Sequence, residues 1–494
     1  MKPAQFRKIP RLDDFIRNVT HWREWMEVNQ PRLVRFGVVA LVVLFCLAVI
    51  PLLVSRNMRM AMLALGGIVG LAGVWVLVRN PSWGYILVIP VALLVPYGIS
   101  TGTGTSLNGA VLIVAALFAL WILGMIVQGE FRVMRSPVVA PALLMIAATL
   151  LAFGIGQLPW FLTEHASIGA QLGGVMIFVF AMGCLLTVAH TLTQSALKWM
   201  VWVFLALSTV FVIARWQSNS LYPILDRFAD GSTGSIFWVW LATLTTGQLL
   251  FNRKLHIAVR GWLGVLLAIT MYVMLIQGQT WTSGWLPALA GMGVMIWIGW
   301  KKLRLPLIIG ALLIAVLQFA DIRSAVMVGD NEYSLMTRVE AWKIMFEIIK
   351  VNPITGVGPA NYYNYTLLFK IAGYAVRFNS HSQYIDLLAQ TGILGFGLYT
   401  WLMVALQKLA WDLLGKTPSG FIHGFIAAAV GGVAGTVLAG FLGDWVIPFV
   451  YNVGMEGFRA SLIGWMFLGA VAAVDRWLKS GELVKADPAL AKEG

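Results

Sequence analysis

The 494-residue chain has little charge, few acidic groups and almost no cysteine. Charged residues make up 11%, where a soluble protein carries roughly 25%. So few charges cannot cover a water-facing surface, which excludes a soluble enzyme core and a disordered chain. The two cysteines, Cys46 and Cys184, lie inside apolar runs. They offer neither metal-ligand spacing nor a disulfide framework. Acidic residues number 21 against 35 basic ones, a net charge of +14. In a soluble protein that excess would suggest nucleic acid. Here no nucleic-acid partner is expected: the basic residues read as loop charges that set topology and meet anionic membrane lipid.

What the chain does have is apolar sequence: 59% of residues, with a mean hydropathy of +0.82. Fourteen spans of about 20 residues would use roughly 280 positions, which matches that content. The apolar runs fall near 34–54, 60–78, 84–98, 107–127, 137–158, 169–190, 197–214, 233–251, 261–277, 285–300, 305–320, 385–407, 421–443 and 457–476. They lack period-two alternation, so they predict helices. The expected fold is an all-α polytopic membrane protein with about 14 transmembrane helices and one large outer helical loop. The first run follows a long polar segment without a small-residue cleavage pattern, so it reads as a retained span.

Basic residues orient the chain. With the N-terminus in the cytoplasm, 24 of the 35 fall on inner segments, and six of the other 11 lie in the long loop 321–384. A loop of that length translocates largely regardless of charge. Five sections follow: a cytoplasmic amphipathic segment 1–33, a transmembrane bundle 34–320 of about 11 helices, the outer loop 321–384, C-terminal transmembrane helices 385–478 and a cytoplasmic tail 479–494. In the first section, Leu12, Phe15, Ile16, Val19, Trp22 and Met26 share a helical face. That face suits the inner membrane surface or a partner helix. The tail is short and polar and reads as disordered.

The span interiors are nearly free of charge, whereas ion-coupled transporters keep ionisable groups at membrane depth. Polar chemistry concentrates in 321–384, and a loop that long is usually functional. Residues 338–351 predict a helix with Thr337 and Glu340 at capping-box spacing. Val339, Trp342, Met345, Phe346 and Ile349 form its apolar stripe, and Pro353 stops it. Gly356-Val357-Gly358-Pro359 reads as a tight turn, since its spacing is wrong for a phosphate loop. Tyr333, Tyr362, Tyr363, Tyr365, Tyr374 and Tyr384 crowd the same region, as an interfacial belt or as a platform for sugar rings. Of six histidines, only His165 and His381 fall outside. A lone histidine at a membrane edge is a structural residue or a catalyst, and spacing alone leaves both open.

His381-Ser382, nine residues, Gly392, two residues and Gly395 resemble the His-Asn/Ser/Gln-x9-Gly-x-x-Gly motif of O-antigen ligases and of the related O-antigen and polysaccharide polymerases. Upstream, Arg338-Val339-Glu340-Ala341-Trp342, Asn352-Pro353 and Gly356-Val357-Gly358 resemble the same family's segment. The resemblance spans about residues 338–395. It implies a GT-C-like helical fold, no metal and no cofactor. The implied donor is an undecaprenyl-diphosphate-linked oligosaccharide, with transfer to a glycan, lipid or protein acceptor on the outer face of the bacterial cytoplasmic membrane. Other polysaccharide-assembly proteins are candidate partners.

The resemblance maps the essential histidine onto His381 and a loop-helix arginine onto Arg338. The family often has Ser-Arg-Gly at the outer end of an earlier span. Here Thr280-Trp281-Thr282-Ser283-Gly284-Trp285 carries no arginine, so Arg215 and Arg227 are candidate substitutes at the diphosphate. Histidine can take a hydroxyl proton near neutral pH, and arginine grips phosphate oxygens in a fork. Asp386, Tyr384 and Tyr362 are candidate supporting residues, Asp386 by orienting the imidazole. Polymerase is slightly preferred to ligase. A protein O-oligosaccharyltransferase and a lipid-linked glycan flippase or transporter are the alternatives.

Overall fold

A computed structural model describes residues 77, 79–95, 98–100, 106–131, 133–217, 233–279, 281–317, 335–371 and 373–483. The chain divides into two units, Met1–Arg79 and Asn80–Gly494, and the second is described here. The amphipathic segment, the first two apolar runs and most of the tail lie outside the described residues.

Each of the other twelve apolar runs forms a helix. In order these are α1 (Pro81–Leu94), α2 (Gly109–Gln128), α3 (Val139–Ile155), α4 (Ile168–Thr191), α5 (Gln194–Trp216), α6 (Ser235–Phe251), α7 (Ile257–Tyr272), α8 (Thr282–Gly299) and α9 (Arg304–Leu317). The outer loop contributes α10 (Leu335–Val351) and the short α11 (Tyr362–Tyr365); then come α12 (Gln383–Leu414), α13 (Phe421–Leu442) and α14 (Gly454–Ser480). Eight helices among the described residues are long and apolar enough to cross a membrane. Helix is what such runs must form, because a bilayer core offers no water to satisfy backbone groups. A small antiparallel hairpin, β1 (Gly98–Ser100) and β2 (Ser106–Asn108), is absent from the sequence reading.

Side chains cap several helix starts. Asn108 Oδ1 accepts from Val111 N at 3.0 Å, and the Ser167 and Thr193 hydroxyls do the same for α4 and α5. α14 is wholly buried along its span window and packs against α4. α13 meets α6 through Gly247 and Gly424, and α8 through Gly291 and Gly431. Small residues let helix backbones approach where apolar burial gives no preference over lipid.

The helix connections sort into two ends. At one, Arg476 donates to the carbonyls of Ala189 and Leu192, and Lys479 to that of Arg135. At the other, Asn361 donates to Gly156 O and accepts from Ala166 N, and Arg459 donates to Val95 O. The described part of the loop 321–384 belongs to this second end. With the start of α12 and Phe449 it builds an apolar core of Ala341, Ile344, Met345, Ile348, Ile349, Val357, Tyr362, Tyr365, Ile385, Ala389 and Phe449.

Two details of α10 differ from the sequence reading. It starts at Leu335, so Thr337 sits inside the helix and not at its cap. Its buried face runs through 341, 344, 345, 348 and 349, which leaves Phe346 47% exposed. A stripe three to four residues wide has two flanks, and the neighbouring elements choose which one is covered.

Candidate active site

The glycine motif is a fastening between the outer loop and α12. After α10, Asn352 closes a turn with its side chain, donating to Thr355 Oγ1 and Gly356 O at 2.8 Å each. Residues 353–358 then lie along a break in α12 at Gly392, which has φ 65° and ψ −168°. Ile393 N donates to Pro353 O at 2.8 Å and Leu394 N to Ile354 O at 3.1 Å. In return Val357 N donates to Ala389 O at 2.9 Å and Gly358 N to Gln390 O at 3.2 Å. The groups freed by the break are thus satisfied by the loop. The positive φ requires glycine at 392, and a Cβ there would stand 2.3 Å from Ile354 carbonyl atoms.

The first nine residues of α12, 383–391, project from this fastening, and His381 sits just before them. His381 is exposed and adopts φ 49°, an unusual conformation for a non-glycine residue. Both neighbours are buried and bonded across it. Ser382 N donates to Ser380 Oγ at 3.0 Å, a side-chain turn that brackets one residue. The Ser380 hydroxyl lies 2.7 Å from Asp386 Oδ1 and 2.9 Å from Ser382 O. Tyr362 donates its hydroxyl to the same Asp386 oxygen at 2.6 Å. On the other side, the Trp342 indole N–H donates to Ser380 O at 2.9 Å. Trp342 belongs to α10, one turn after Arg338, whose backbone lies in the helix's first turn.

The connection between α13 and α14, residues 443–453, supports this turn. Gln383 Oε1 accepts from Ile447 N at 2.7 Å. Phe449 stacks on Tyr362 with centroids 4.5 Å apart. Asp444 is buried and accepts from Phe449 N at 2.8 Å and from Asn452 Nδ2 at 2.7 Å. Burial pushes its carboxyl above the usual range. The Tyr362 hydroxyl is pushed up by burial and by the adjacent Asp386.

These contacts change the reading of the tyrosines. Tyr362 and Tyr365 are buried in the loop core, where a large ring fills volume, so neither forms a belt or an open sugar platform. Tyr363 stacks on Tyr451 at 4.6 Å. Tyr384 donates to Val437 O at 2.7 Å, meets Tyr399 edge-on and Phe441 at a tilt, and so ties α12 to α13. Tyr333 lies outside the described residues.

Arg215 occupies a separate place. It ends α5, with its guanidinium 5.6 Å from the Trp238 ring centroid, within cation–π range. It lines a cavity of about 340 Å³ together with Thr233, Gly234, Trp281, Trp445 and Glu456. The starts of α6, α8 and α14 wall this cavity, and none has a side chain capping its first turn. Their backbone dipoles add positive potential there, against which stands the Glu456 carboxyl in the first turn of α14. A second small cavity beside Arg215 is bordered by the π-helical turn Val273–Gln277 that extends α7.

Trp445 lines the Arg215 cavity, while Phe449 of the same connection stacks under the His381 support. The structure therefore brings together His381, Asp386, Tyr362 and the Arg338 helix, and places Arg215 at a separate cavity that has in common with them only the 443–453 connection. Arg227 lies outside the described residues. The sequence reading missed Ser380, Glu456, Trp445 and the buried Arg459. Only the serines flanking His381 carried a signal, as side chains suited to local backbone bonds.

The fold and site define an integral membrane protein, helical in its described spans, with His381 on a fastened loop and Arg215 in a separate cavity. Residues 255–400 match the family model described as O-antigen ligase. Over that segment the chain is similar to the O-antigen ligases. No curated protein matches the chain.

Proposed function

We propose that this protein is a glycosyltransferase of the bacterial cytoplasmic membrane that polymerises undecaprenyl-diphosphate-linked glycans on the outer face. Transfer of the same donors to a lipid acceptor, as in a ligase, is the nearest alternative and differs only in the acceptor. The observation that carries this reading is the turn at His381: an exposed imidazole on a strained residue, locked from both sides, on a loop fastened to the helix of Arg338.

The reaction forms one bond and breaks one. An acceptor hydroxyl oxygen attacks C1 of the donor sugar and gives its proton to the His381 imidazole. The bond from C1 to the diphosphate oxygen breaks, and undecaprenyl diphosphate leaves with the electron pair. A positioned base contributes roughly 10²–10⁴-fold. Arg338, with Arg215 or Arg227, stabilises the negative charge that develops on the leaving group. The Arg215 cavity, with three helix starts around it, supports Arg215 in that role. A single displacement inverts C1. The outer placement is supported by the clustering of the predicted outer connections at the His381 end.

The test uses protein in lipid nanodiscs with an undecaprenyl-diphosphate-linked oligosaccharide. A ladder of lengthening glycans is expected from wild type and not from His381→Ala. A single transfer to an added lipid acceptor would mean ligase. Equal activity in the variant, or retention of the donor's C1 configuration, would overturn the mechanism.

A further inference from the structure

We propose that Asp386 is a positioning residue for His381, acting through the Ser380 hydroxyl on the backbone turn. This rests on the reading of His381 as the base. Asp386 is 1% exposed, and its Oδ1 gathers the Tyr362 hydroxyl at 2.6 Å and the Ser380 hydroxyl at 2.7 Å, while its Oδ2 is buried without a hydrogen-bond partner. A carboxyl group buried this deeply is costly unless it is hydrogen-bonded. What these bonds do is local. The Ser380 oxygen also accepts the Ser382 N–H, so one hydroxyl is held by Asp386 and itself holds the residue after His381.

His381 has φ 49°, a conformation that persists only where its surroundings impose it. Tyr362 fixes Asp386 from the loop core, and the helical turn from Ser382 O to Asp386 N, 3.0 Å long, closes the ring. A chain of bonds therefore runs from the core tyrosine to the turn that presents the imidazole. Loss of a link lets the turn relax and moves the base away from the acceptor hydroxyl, without touching the donor's diphosphate.

The test measures kcat and KM for the lipid-linked oligosaccharide in nanodiscs, with thermal unfolding alongside. Ser380→Ala and Asp386→Ala are expected to lower kcat about 10- to 100-fold, the scale of a small misplacement of a catalytic group, with KM within about threefold. Asp386→Asn keeps an oxygen that accepts both hydroxyls and is expected to recover most of kcat. Ser380→Ala removes one atom, so it serves where Asp386→Ala fails to fold. If Ser380→Ala folds as wild type and keeps its kcat while His381→Ala is inactive, the positioning role fails and the enzyme reading stands. If Asp386→Asn is as slow as Asp386→Ala, charge matters and the route through Ser380 is wrong. If His381→Ala is fully active, the reading beneath the proposal fails.

Discussion

Gly392 and Gly356 face each other across the fastening of the outer loop to α12: a Cβ on Gly392 would stand 2.6 Å from Gly356 N. Neither position has room for a side chain, and both have positive φ. Gly392→Ala therefore combines a left-handed alanine with overpacking against backbone. The expected destabilisation is roughly 2–5 kcal/mol, seen as a lower thermal midpoint in detergent and loss of most transfer activity. An unchanged midpoint would mean that the fastening is dispensable.

Arg215 is expected to act on donor binding. Charge-assisted hydrogen bonds contribute about 1.5–3 kcal/mol, so Arg215→Gln should lower kcat/KM for the lipid-linked donor by about 10- to 100-fold. Arg215→Lys keeps the charge and loses the fork, so it should fall between. Steady-state rates against donor concentration check this. Equal rates in all three proteins would move the diphosphate elsewhere.

Much of the fold was legible, because an apolar run in a membrane has one way to satisfy its backbone. The run 169–190 became Ile168–Thr191, and 421–443 became Phe421–Leu442. The break at Gly392 was not legible: a glycine within an apolar run fits a continuous helix as well as a broken one, and only the approach of Ile354 decides. His381 was visible through its spacing to two glycines. Its supports were not, because Asp386 takes its partners from 24 residues upstream and from a serine before the helix. Tyr362 and Tyr365 misled for a related reason: an amphipathic side chain suits an interface, a sugar or a core, and the neighbours choose.

Asn361 is expected to matter for stability alone. It is fully buried and donates to Gly156 O and Val357 O at 2.9 Å each while accepting from Ala166 N at 3.0 Å. Asn361→Ala strands those three backbone groups, at a cost of about 3 kcal/mol or more. The midpoint should drop, with KM for donor unchanged in the protein that remains folded.

Asp444 gives a pH dependence with a definite sign. Its carboxyl is raised by burial in the folded protein. The native state thus keeps a proton that the unfolded chain releases near pH 4. Stability falls as pH rises from there through the raised value. Thermal midpoints at a fixed scan rate should show this decline, and Asp444→Asn should shallow it. A decline of equal slope in the variant would assign it to other groups.

Tyr384 separates a structural tie from a site residue. Tyr384→Phe removes the bond to Val437 O and leaves the ring contacts, so about 1 kcal/mol of stability should be lost. Transfer activity should stay within about threefold of wild type. A larger loss of kcat with an unchanged midpoint would return Tyr384 to the chemistry.

Residues 383–391 form a strut of about 14 Å, at 1.5 Å per residue, anchored by backbone at Gly392 and ending at His381. Its length is set by a count of residues and by nothing else. One residue more or fewer would raise or lower the imidazole by about 1.5 Å and swing it roughly 100° around the helix axis. Apart from Gln383 and Asp386, which hold the turn, side chains along the strut can vary while it still reaches the same height, but the number between the histidine and the glycine cannot.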